Sequence, residues 1–220
     1  MQAMTLARPG EPLRMTELPM PVPGEHDIVI RVLACGICRT DLHIIDGDLP
    51  PRVAGIVPGH EVVGRVVTAA CRGGRFRIGD RVGIPWLGGT CGRCLYCMGH
   101  RENLCDTPVF TGYDRHGGFA QYASADERFC FALPDGYDDV HAAPLLCAGL
   151  IGYRAYRLCA VSGAMRLGLY GFGAVAQGQQ VYAFTRAGDR QSQPFALHQA
   201  NEAIAALRAG AINGAAVLLP

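Results

Sequence analysis

The sequence predicts a mixed α/β fold. A β-rich part over residues 1–150 is followed by a shorter strand–turn–strand fragment over 151–199, then by a closing helix and strand over 200–220. Three observations carry that prediction. Short apolar runs such as DIVIRVLA (27–34) and EVVGRVV (61–67) alternate with turns supplied by 29 glycines and 14 prolines in 220 residues. Such a composition favours strands and loops over a helical bundle. The run MRLGLY (165–170) leads straight into glycines 171 and 173, as a buried strand leads into a tight turn. Ala200–Gly210 is periodic in apolar residues like a helix, and AAVLLP reads as a last strand.

Composition narrows the function classes. Half of the residues are hydrophobic, enough for a sizeable core. The formal net charge is +1 with no long charge run, which argues against nucleic acid or an anionic membrane as partner. All 20 basic residues are arginine. Without lysine, Schiff-base chemistry and a P-loop are excluded. The N-terminal stretch has no apolar h-region, and no apolar run reaches the ~18 residues of a membrane span. The expectation is a cytoplasmic protein in a reducing compartment, where cysteines are free thiols or metal ligands.

Taken in order, the segments place chemistry at four points. DIVIRVLACGICRTDLH (27–43) begins as a strand and turns at Gly36, presenting Cys35 and Cys38, then Arg39, Thr40, Asp41 and His43. VPGHEVVGRVV (57–67) opens a second strand with His60 and Glu61. TCGRCLYCMGHRENLC (90–105) spaces Cys91, Cys94, Cys97 and Cys105 as C-x2-C-x2-C-x7-C. Four thiolates from one short loop can wrap a tetrahedral zinc at about 2.3 Å. A ferredoxin-type cluster would close with a three-residue gap and a proline; here the gap is seven and Asp106 follows. All four positions are sulfur, so this site holds structure and does no chemistry. APLLCAGLIGYRA (143–155) carries Cys147. A catalytic zinc wants three protein ligands and one open position. One cysteine of the first segment, His60 and Cys147 would supply them. Pattern alone leaves the alternative open, since a lone cysteine in an apolar stretch is usually a small buried hydrophobe. Cys71, Cys130, Cys159 and Cys35 are read that way.

Further on, Gly171, Gly173 and Ala176 form the G-x-G-x-x-A dinucleotide fingerprint, followed by a strand-like VYAFTR (181–186). An NAD site ends that second strand with an acid; Thr185 and Arg186 stand there instead, which favours NADP. The crossover is short, however. A strand of about 17 Å needs roughly 11 helical residues to return along it. Only Gln177, Gly178, Gln179 and Gln180 separate the turn from Val181.

The motifs GICRTDLH, GHEVVG, GDRVGIPW, CGRCLYCMGHRENLC and LLCAGLIGYRA, in that order, resemble the zinc-dependent medium-chain alcohol dehydrogenases. The resemblance runs through residues 1–188 and resumes at ANEAIAALRAGAINGAAVLLP. It implies a GroES-like β domain, a truncated Rossmann-like cofactor fragment, and an internal loss of roughly a hundred residues from a two-domain architecture. It implies catalytic zinc on Cys38, His60 and Cys147, and structural zinc on Cys91, Cys94, Cys97 and Cys105. Glu61 resembles the family's acid beside the metal, and Asp41 the carboxylate that orients the ligand histidine. Arg39 matches the contact to the cofactor pyrophosphate.

The implied reaction oxidises a small alcohol to an aldehyde or ketone, or runs in reverse, with NADP or NAD. Zinc lowers the pKa of an alcohol oxygen, as it lowers that of bound water to about 7. Hydride then passes to the nicotinamide, and the proton leaves through Thr40 and His43. Trp86 is a candidate wall of the alcohol pocket and equally a core residue. The family's habit of oligomerising extends the expectation to self-association. The competing expectation is a zinc-binding remnant without turnover.

Overall fold

The computed structural model describes residues 1–50, 52–159 and 191–220. Strands β1 (Gln2–Thr5) and β2 (Arg14–Glu17) pair antiparallel at the start of the chain. The apolar run from 27 becomes β3 (Asp27–Ile37), the organising strand of a seven-stranded sheet. Helix α1 (Arg39–Asp46) follows at once and ends at Gly47. Then come β4 (Glu61–Thr68), β5 (Arg81–Ile84), β6 (Leu87–Gly89), the single-turn α2 (Leu95–Met98), β7 (Val109–Phe110), β8 (Tyr122–Asp126) and β9 (Phe131–Ala132). The second part holds α3 (Asp139–Ala142), α4 (Ala148–Leu158), β10 (Ser192–Ala196), α5 (Ala200–Arg208) and β11 (Ala215–Leu219).

Along the main sheet the order is β10-β11-β3-β4-β5-β9. One edge of β3 is shared: β8 pairs its first half and β11 its last residues, while β4 runs along the other edge. All of these pairings are antiparallel except β10 with β11. The sequence pattern predicts a turn at Gly36. The strand instead continues through Ile37, because Gly36 is held on both sides, opposite Glu61 of β4 and Val217 of β11. A second difference concerns Ser192–Ala196, which the reading assigned to the cofactor fragment over 151–199. It forms β10 beside β11, within the sheet built on β3.

Phe119, Ile28, Ile30, Ile84, Leu218, Val62 and Val82 are fully buried and fill the core of the sheet. Each such aliphatic side chain contributes about 1.5–3 kcal/mol on burial. Cys35 and Cys130 are buried among them, as expected of small hydrophobes. Cys71 and Cys159 are exposed, against that reading: Cys71 sits in an Arg- and Gly-rich surface turn and Cys159 at the solvent end of α4. No helix among the described residues is long and apolar enough to cross a membrane.

Candidate metal centres and cavity

Cys38 directly follows the last residue of β3 and caps α1. Its sulfur accepts the amide N–H of Thr40 at 3.3 Å, while Asp41 Oδ2 accepts the N–H of Cys38 at 2.9 Å. This reciprocal cap satisfies helix-end donors with the side chains of the site itself. His60 is delivered by the loop before β4. That loop passes beneath Phe119 with Gly59 at φ +96°, where a Cβ would fall 2.5 Å from the Phe119 ring. Only glycine fits there, so Gly59 determines where His60 lies. Cys147 stands between the 3-10 turn Ala143–Leu146 and α4.

These segments are distant in sequence and converge in space. One donor atom each from Cys38, His60, Glu61 and Cys147 lies within 4.8 Å of the others. Cys38 Sγ is 3.1 Å from His60 Nε2. Asp41, fully buried, lies on the other side of the ring, with Oδ1 3.3 Å from His60 Nδ1 and accepting the Gly59 N–H at 3.1 Å. At 3.3 Å this is an ion-pair contact rather than an aligned hydrogen bond. It leaves Nε2 facing the Cys38 sulfur. A tetrahedron with Zn–S near 2.3 Å and Zn–N near 2.0 Å has donor–donor edges of about 3.5–3.8 Å. Two thiols and an imidazole at this spacing fit one zinc ion with a corner to spare.

Crowding shifts Cys38, His60 and Glu61. Hydrogen bonding to Cys147, then burial, pushes the Cys38 thiol well above its usual range. Burial, then the nearby Cys38 sulfur, pushes the Glu61 carboxyl up to about 8. Burial pulls His60 down, but the Asp41 carboxylate and Cys38 outweigh it and hold the ring well above its ordinary value. The Cys38 thiol and the Glu61 carboxyl thus hold protons that a dication would displace.

The second cluster lies in the loop between β6 and β7. Cys91, Cys94, Cys97 and Cys105 each have a sulfur within 4.8 Å of the others. Cys97 Sγ stands 3.9 Å from Cys91 Sγ and 3.5 Å from Cys94 Sγ, close to the ~3.8 Å edge of a ZnS4 tetrahedron and far from a 2.05 Å disulfide. Backbone N–H groups point at the sulfurs: Cys94 N–H to Cys91, and Cys91 N–H and Thr107 N–H to Cys105. The N–H groups of Arg93 and Cys94 lower the Cys91 thiol to about 6, whereas burial raises Cys97 to about 11.

A cavity of about 850 Å³ opens beside the first cluster, with Thr40, His60, Trp86, Cys147, Leu150 and Ile151 among its walls. Trp86 meets His60 edge-on at 5.0 Å and stacks on Phe110 at 4.6 Å, so it is both a cavity wall and part of the aromatic packing. His43 lies one turn beyond Thr40 on α1, exposed, with Nδ1 2.8 Å from Asp48. Arg39 is exposed on the first turn of the same helix. Leu150 and Ile151 escaped the sequence reading. Their signal was the i+3, i+4 spacing from Cys147, which puts them on one face of α4. Gly171, Gly173, Ala176, Thr185 and Arg186 lie outside the described residues.

Comparison with known proteins gives the same direction. The profile of the alcohol dehydrogenase GroES-like domain matches residues 24–135. A protein of Mycobacterium tuberculosis (strain CDC 1551 / Oshkosh) described as "probable alcohol dehydrogenase AdhA" is 44% identical over 204 residues, covering 84% of this chain and 59% of its own. An alcohol dehydrogenase of Geobacillus stearothermophilus is 38% identical over 173 residues, covering 78% and 51%. This chain thus spans between half and three fifths of the length of these relatives. Among solved structures, CAD from Helicobacter pylori complexed with NADP(H) superposes with a TM-score of 0.76 at 25% identity, over 93% of this chain and 61% of that one. The alcohol dehydrogenase of Aeropyrum pernix reaches a TM-score of 0.81 at 19% identity over the whole of both chains, which speaks for the fold.

Proposed function

Because this chain belongs to the zinc-dependent medium-chain alcohol dehydrogenase family, we propose that it interconverts an alcohol and its aldehyde or ketone with a nicotinamide cofactor, NADP being favoured. The observation that carries the proposal is the meeting of Cys38, His60, Glu61 and Cys147 donor atoms at the edge of a largely apolar cavity.

Cys38, His60 and Cys147 would hold the catalytic zinc, and the four cysteines from 91 to 105 a structural one. Bound there, zinc supplies Lewis acidity that lowers the pKa of an alcohol oxygen. Asp41 holds the Cys38 amide and faces the His60 ring, so both ligands keep their orientation. The Thr40 hydroxyl, on the cavity wall, would take the alcohol proton as it hands its own onward to His43. His43, outside on the same helix, passes a proton to water. Trp86, Leu150 and Ile151 exclude water from the reacting carbon and select an alcohol with an apolar body. Arg39, Gly171, Gly173, Ala176, Thr185 and Arg186 are proposed as the cofactor contacts, with Arg186 beside the phosphate that distinguishes NADP.

Purified protein would be tested with a panel of alcohols for formation of reduced nicotinamide, beside metal analysis and calorimetric titration with NADP and NAD. Turnover with two zinc ions per chain supports the proposal. A second reading, a zinc-binding protein without turnover, draws on the four-residue gap between Ala176 and Val181. Full zinc loading with no binding of either nucleotide at millimolar concentration would favour that reading over the enzyme.

A further inference from the structure

Gly36 and Glu61 face each other across the antiparallel β3–β4 ladder. Both are buried. The Glu61 side chain lies back over its partner: a Cβ built on Gly36 would stand 1.9 Å from Glu61 Oε2, 3.0 Å from its Cδ and 3.1 Å from its Cβ. Backbone conformation does not demand glycine here, since Gly36 is not among the residues with positive φ. The space does. The carboxylate occupies the volume that any other residue at 36 would need. From that berth one Glu61 oxygen stays within 4.8 Å of the donor atoms of Cys38, His60 and Cys147. The other three donors already suffice for a zinc ion with one open corner, so the carboxylate's resting place governs whether that corner stays open.

We propose that Gly36 is a positioning residue, whose missing side chain provides the berth that sets where the Glu61 carboxylate stands relative to Cys38, His60 and Cys147. The proposal rests on the metal-centre reading above. A methyl group at 36 drives the carboxylate out of the berth and changes the coordination of any metal held by the three ligands.

The test uses the full chain loaded with Co(II), whose visible bands report coordination number, and does not depend on turnover. Wild type, Gly36→Ala, Glu61→Ala and the double variant are compared; the four-cysteine site contributes equally to all four spectra. Gly36→Ala should shift the cobalt bands and change their intensity. In the Glu61→Ala background the same substitution should leave the spectrum where Glu61→Ala alone put it. A Gly36→Ala spectrum that superposes on wild type overturns the proposal, as does a shift that persists without Glu61. Should Gly36→Ala fail to fold, the double variant, which lacks the clashing carboxylate, must fold; if it fails too, glycine is needed for the strand and the proposal falls. Failure of wild-type protein to bind cobalt outside the four-cysteine loop would instead remove the metal-centre reading itself.

Discussion

Asp41 shows how much one buried carboxylate can decide. It is fully buried, accepts the N–H groups of Cys38 and Gly59, and faces the His60 ring at 3.3 Å. It therefore holds two candidate metal ligands and the loop between them. Asp41→Asn keeps the shape and removes the charge. Zinc affinity at this centre should fall about 10–100-fold, read by competition with a coloured chelator; unchanged affinity would mean that the ligands orient themselves. Thr40 makes a different prediction, because it lines the cavity and reaches Cys38 through its backbone N–H, which a valine keeps. Thr40→Val removes the hydroxyl at nearly constant volume. Zinc content should stay the same while turnover drops about 10²–10⁴-fold. A variant with wild-type turnover would show that the proton leaves by another route. At this scale the sequence was informative: Cys38, His60 and Cys147 were named from their motifs, and the described residues bring them together.

At the scale of elements, the β6–β7 connection carries little besides its four clustered thiols to order it. It contains only the one-turn α2 and a 3-10 turn, and Leu95, Met98 and Leu104 are exposed rather than packed. A segment with so little apolar burial has no internal reason to keep its shape. Stripping metal with a strong chelator should therefore open it to trypsin at Arg93 and Arg101, both exposed, within a digestion time that leaves metal-loaded protein intact. Equal resistance with and without metal would show that the loop holds itself. The spacing of the cysteines was legible in advance. The length of β3 was not: Gly36 reads locally as a turn, and it stays extended because β4 and β11 pair with it from both sides.

Across the whole molecule, the C-terminus completes what the N-terminal half began. β11 seats Ala216, Val217 and Leu218 against Ile37, Gly36 and Cys35, immediately before Cys38. Leu218 is fully buried, so Leu218→Ala removes core volume at the centre of this union. Its expected cost is about 2–5 kcal/mol, seen as a lower urea midpoint with little change in slope. A cost near zero would mean that β11 contributes pairing but not packing. Residue types and short-range spacing determined by themselves the four-thiol loop and the motifs that carry the family resemblance, because four thiols within sixteen residues can close around one ion whatever the rest of the chain does; the choice of Cys38, His60 and Cys147 as candidate ligands came through that resemblance. Only the tertiary structure decided that donor atoms of Cys38, His60 and Cys147 stand within 4.8 Å of one another, that Cys71 and Cys159 are exposed, that Ser192–Ala196 joins the main sheet, and that the Glu61 side chain lies against Gly36. Those are distances between residues remote along the chain, and pairing across the sheet, which no local pattern encodes, is what brings them near.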